Sequence, residues 1–130
     1  MKLFTLVLIF ALGSGSFAQA QVEAPLKSIM KEMSTKLKTI AAQSTDASKN
    51  ASSEAIALEL VTTVTSAKSA MPSTVTDQAR QNLFQKMIDD VIVSSKQLAQ
   101  AFHDNDNVKA AQILTELSKQ KKDGHTEFRN

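Results

Sequence analysis

His103 and His125 are the only two histidines in this 130-residue chain, and its scarcest chemistry-bearing residues. His103 belongs to the run His103-Asp104-Asn105-Asp106-Asn107, a string of turn formers, and reads as a solvated turn residue. His125 follows Gly124, which lies deep in a helical pattern where glycine costs about 1 kcal/mol relative to alanine. A glycine kept there often marks close approach by something bulky. A histidine in a last helical turn also serves as a partner for the helix dipole, so both readings of His125 stand at this point. Cysteine is absent, which excludes iron–sulfur clusters, thiolate zinc and covalent c-type haem. A carboxylate-bridged di-iron bundle needs two Glu-x-x-His pairs, but Gln100 and Lys122 stand three residues before the two histidines. Ser and Thr residues are plentiful but show no base and orienter, and there is no glycine-rich phosphate loop. Asn50-Ala51-Ser52 matches a glycosylation sequon, as a three-residue pattern does by chance. The pairing that survives is methionine with histidine. A thioether and an imidazole on opposite sides of a haem iron make a low-spin, six-coordinate centre; methionine there favours the reduced metal and raises the potential. Oxygen then finds no open position. Without such a ligand, the same methionines are gap-filling core.

The surrounding elements must position such a pair. Met1-Lys2 gives a positive start, Leu3 to Leu12 is apolar apart from Thr5, and Ala18-Gln19-Ala20 offers a small-x-small cleavage site. This is the three-part layout of a secretory signal peptide. The apolar run is shorter than the roughly 20 residues that span a bilayer. Residues 1–20 therefore read as a leader and 21–130 as one soluble domain with one core, with no membrane insertion after cleavage. The chain carries 15 Lys and Arg against 13 Asp and Glu, and loss of Lys2 with the leader brings the balance closer to zero. With no basic stripe and no interleaved aromatics, nucleic acid is not an expected partner.

After the leader the chain holds two prolines, Pro25 and Pro72, one glycine, Gly124, and phenylalanine as its sole aromatic type, a composition that disfavours sheets and favours helices. Leu26, Met30, Met33, Leu37 and Ile40 step by four and three, a bundle-type stripe, with Pro25 near its start where a missing N–H is harmless. A second stripe runs from Ala57 through Leu60 and Val64 to Met71; its segment Val61–Thr65 is β-branched, but the spacing is helical. Pro72 breaks the pattern, and Thr76 offers an N-cap. Leu83, Phe84, Met87, Ile88, Val91, Leu98 and Phe102 mark a long third helix, and Val108 to Phe128 a fourth. Four such helices joined by short turns pack all-α as an antiparallel up-down-up-down bundle. The first and fourth are then antiparallel neighbours, which brings Met30 and Met33 beside His125. There are no internal repeats.

Two stretches resemble the cytochrome b562 family of exported four-helix haem-b proteins. Leu26-Lys-Ser-Ile-Met30-Lys-Glu-Met-Ser-Thr-Lys-Leu37-Lys-Thr-Ile40 is similar to the family's first helix. Val108-Lys-Ala-Ala-Gln112, continuing through Leu117 to Gly124-His125-Thr-Glu-Phe128-Arg129, is similar to its last. The resemblance spans the chain after the leader, with matches spread out rather than concentrated in one motif. It implies one non-covalent haem b, with Met30 and His125 as axial metal ligands, Met30 being preferred over Met33. It implies that Leu26, Met33, Leu37, Phe84 and Ile88 pack on the macrocycle, and that Lys121 and Arg129 are cationic neighbours of its edge. Lys121 stands where some members carry Arg, a departure that bears on potential and affinity. Gly124 stands where c-type variants carry Cys. The implied role is a periplasmic electron carrier, a monomer that is not an enzyme and serves unidentified redox partner proteins. Haem storage, or a haem-free periplasmic binding or adaptor bundle, are the alternatives; a folded, colourless protein tolerant of Met30→Ala would indicate the haem-free one.

Overall fold

The apolar stripes become helices wherever their caps allow. The computed structural model describes residues 23–128, with side chains from Leu26 onward, so the leader assigned to 1–20 and Arg129 lie outside the described residues. Helix α1 spans Glu23–Gln43, α2 Asn50–Ala67, α3 Gln78–His103 and α4 Asn107–Phe128, and the described residues contain no strand. Each helix packs on the next, and α4 returns to α1, giving the antiparallel four-helix bundle. Ile40, Leu60, Leu98, Phe102 and Leu117, drawn from all four helices, are at most 1% exposed and form the middle of the core. No helix among the described residues is long and apolar enough to cross a membrane.

The β-branched segment Val61–Thr65 is helical. Two of its threonines find partners, one on the helix and one beyond it: Thr65 Oγ1 donates to the Val61 carbonyl at 2.7 Å, and Thr63 Oγ1 donates to Glu32 Oε1 on α1 at 3.1 Å. Helix α2 stops at Ala67, short of the Met71 that its stripe reaches. Lys68, Ser69 and Ala70 donate back three residues to Thr65, Ser66 and Ala67. This tightening of the last turn is expected where Pro72 disfavours helix at the preceding residue. The cap of α3 is Asp77 rather than Thr76: Asp77 is extended, and its carboxylate accepts from the Arg80 N–H at 2.8 Å.

The α3–α4 connection is a Schellman turn. Asn105 takes φ +56°, Asn105 N–H donates to the Phe102 carbonyl and Asp106 N–H to that of Ala101. An asparagine tolerates this left-handed position better than most residues. His103 is thus the last residue of α3 rather than a turn residue. It is exposed, with Nδ1 3.0 Å from Glu54 Oε1 on α2. Asp106 then caps α4 through the Lys109 N–H.

Candidate functional site

Of the four neighbouring helix pairs, α1 and α4 pack least closely. At the end of the bundle where α1 and α3 begin and α4 finishes, this loose seam opens into a cleft of about 690 Å³, within the range of small-molecule and cofactor sites. Helix α1 supplies Leu26, Met30 and Met33; α3 supplies Phe84, Met87, Ile88 and Val91; α4 supplies Gln120, Lys121, Gly124, His125 and Phe128. Pro72 and Thr74 close it from the α2–α3 connection.

The structure therefore gathers the sequence-derived site residues selectively. Met30 and His125 are both half-buried in the walls of this one cleft, while Met33 is only 4% exposed. Phe84 and Ile88 form the buried floor beside them. Leu37 is the exception. It belongs to the core, one turn too far along α1, and lines a smaller adjoining groove that it shares with His125 and Lys121.

Sequence reasoning passed over Met87, Gln120 and Arg80. Met87 falls between Phe84 and Val91 at helical spacing, so its stripe position was the available signal. Arg80 carried no such signal, because its role is tertiary. From the first turn of α3 its guanidinium donates to Glu127 Oε1 at 3.0 Å and to the Glu127 carbonyl at 2.7 Å. It also lies 5.2 Å from the centre of the Phe128 ring, and that ring meets Phe84 edge-on at 5.3 Å between centroids. Together these contacts hold the last turn of α4, and with it His125, against the capped start of α3.

Two observations bear on whether a bulky, flat, apolar group fits. A methyl added at Gly124 would meet only Met87 Cε, at 3.9 Å, an ordinary van der Waals contact. Nothing in the protein itself forces glycine there, so the bare backbone leaves space open to the cleft. Gln120 donates to Ser94 Oγ at 3.0 Å, but its Oε1 is buried without a partner, and such groups are rare unless something else meets them. Among the described residues no three His, Cys, Asp or Glu side chains cluster to hold a bare metal ion, whereas Met and His face one apolar space. These features suit a macrocycle inserted between helices and held by thioether and imidazole.

Comparison with known families matches the one described as cytochrome b562 over residues 25–129. No curated protein and no solved structure matches the chain. The family match runs from the first turn of α1 to the end of α4 and takes in every residue lining the cleft. The chain belongs to the cytochrome b562 family, whose members are haem-binding electron-transfer bundles rather than enzymes.

Proposed function

We propose that the chain carries electrons in the periplasm, binding one non-covalent haem b in the α1–α3–α4 cleft with Met30 and His125 as axial ligands. The observation that carries this reading is that Met30 and His125, 95 positions apart, line a single cleft at the loosest seam of the bundle. When bound, haem supplies a one-electron couple, and methionine ligation raises its potential.

The chain's own residues do the rest. His125 offers an imidazole nitrogen, and the Arg80–Glu127 pair fixes the turn that presents it. Phe84, Ile88 and Phe128 exclude water from the floor of the cleft. Lys121, half-buried at the rim, would balance part of the negative charge of a bound haem. Because the chain has no cysteine, a haem held here would be attached non-covalently, and with Met30 and His125 both holding it the iron would serve electron transfer rather than substrate binding. The secretory pattern of residues 1–20 supports export.

Titrating haemin into the purified protein tests the reading. The expected product is a low-spin six-coordinate spectrum that is lost in His125→Ala, converted to a different spin or ligation state in Met30→Ala, and kept in Met33→Ala. An unchanged spectrum in His125→Ala would overturn the assignment. Cell fractionation tests the compartment.

A further inference from the structure

The lysines are not spread evenly over the bundle. The main cleft is lined by Lys27, Lys31 and Lys121 and by no acidic residue. The adjoining groove, which shares Ser34, Lys121 and His125 with it, adds Lys38 and Lys122 and again no acid. Lys27, Lys31 and Lys38 lie at i, i+4 and i+11, one stripe of α1, facing Lys121 and Lys122 on α4. Among the described residues none of these five ammonium groups has an ion-pair partner. By contrast Lys36, Lys68, Lys86, Lys119 and Arg80 each hold a carboxylate within 4.0 Å. The described acids of α1 and α4 that form ion pairs, Glu32, Asp123 and Glu127, answer to Lys36, Lys119 and Arg80 instead. A chain with a net charge of only +2 thus presents, among its described residues, a concentrated cationic face at the mouth of its candidate site.

From this segregation we infer that the Lys27–Lys31–Lys38 stripe of α1 and the Lys121–Lys122 edge of α4 form a docking surface for a protein partner that presents a cluster of carboxylates. The adjoining groove, with Lys38 on one wall and Lys121 and Lys122 on the other, is concave and lies beside the proposed cofactor cleft, suited to a convex acidic patch. The exposed large hydrophobics Leu58, Leu83, Val93 and Val108 line neither groove, so the apolar wedge that a membrane-surface anchor buries among lipids is missing beside the lysines. Facing charges of this kind steer encounter and set orientation more than they add affinity, which suits the small, transient interfaces of electron exchange. The direction of electron flow rests on the function proposed above; the docking surface does not.

Poly-L-glutamate is the probe, titrated at low salt into isotopically labelled apo-protein and followed by amide chemical shifts. The expected shifts cluster around the five cleft lysines and spare Lys49, Lys96 and Lys109, which are also unpaired but lie elsewhere. Lys38→Glu/Lys122→Glu, which leaves the main cleft untouched, should weaken binding on the order of tenfold. Lys96→Glu/Lys109→Glu, the same change of net charge, should have little effect. Shifts spread evenly over all exposed lysines, or equal losses in both double variants, overturn the proposal. So does binding to phosphatidylglycerol vesicles through the five lysines without binding to polyglutamate, since the face would then be lipid-directed. Haemin titration of the same samples reads cofactor binding separately, so failure of the haem reading and failure of the docking surface are distinguishable.

Discussion

At one end of the bundle buried polar groups close on one another, and at the other they are left facing a cleft. At the closed end, where α1 and α3 finish and α2 and α4 begin, the Asn50 and Asn107 amides pair reciprocally, both bonds at 2.9 Å. Asn50 also donates to Asn105 Oδ1 at 3.0 Å, and Asn107 to the Ser44 carbonyl at 2.7 Å. Gln43 donates to Ser53 Oγ at 2.9 Å. Because Asn50 is only 3% exposed and bonded in this way, its sequon is not an accessible glycosylation site in the fold. At the open end the Gln120 Oε1 is unsatisfied, and the methionines and His125 line free volume. An interior normally packs without such voids and satisfies its polar groups. The difference teaches that cross-helix amide pairs tie the helices together at the closed end, while at the open end the walls of the cleft stand apart.

The sharpest way to break that contrast is to truncate one phenylalanine at each end of α3. Phe102→Ala, at a residue 1% exposed, should cost about 3–5 kcal/mol of unfolding free energy. Phe84→Ala, beside the cleft, should cost the apo-protein less, because the cavity it leaves merges with space already open, and should weaken haem binding instead. Denaturant unfolding with and without haemin measures both; equal costs in the apo-protein would erase the distinction. Next in size, Asn107→Ala strands the Asn50 amide and the Ser44 carbonyl, and should lower stability by about 1–3 kcal/mol without altering the haemin spectrum. Gly124→Ala should act with opposite sign at the open end. It removes a helix-interior glycine, raising apo stability by up to about 1 kcal/mol, while the added methyl takes space from the cofactor and lowers haemin affinity.

The smallest expected effect is a pH dependence at the α1–α2 seam. Hydrogen bonds from Lys36 and then Thr63, with the Lys36 charge, hold the Glu32 carboxyl below its ordinary value near 4.5. A depressed folded-state value means that this contribution is fully present above the ordinary value and is lost as pH falls through the folded one. Glu32→Gln should therefore flatten a slight acid-side decline in stability, seen as a shallower fall of melting temperature below about pH 5. Since both groups are exposed to screening, a large effect would contradict this reading of the pair.

The four helices and the haem-type inventory were legible because they rest on local or compositional facts: heptad spacing, the lack of cysteine, and two histidines. The end of α2 was not, because the stripe Ala57–Met71 runs past the point where Pro72 tightens the backbone. Leu37 shares its stripe with Met30 and Met33, yet sits beyond the cleft, since periodicity gives a face but not the depth at which a neighbouring helix diverges. Arg80 and Gln120 were invisible for a related reason: their significance lies in partners 47 and 26 residues away.

By itself the sequence determined an all-helical bundle and the antiparallel pairing of its first and last helices, because periodicity is a property of the chain; Met30 with His125 as ligands is a proposal that the family resemblance motivates. Only the tertiary structure decided that the α1–α4 seam is the loosest in the bundle and opens into a cleft at one end. That asymmetry depends on which buried polar groups find partners across helices, and on the Arg80–Glu127–Phe128 contacts that hold the last described turn of α4 against α3.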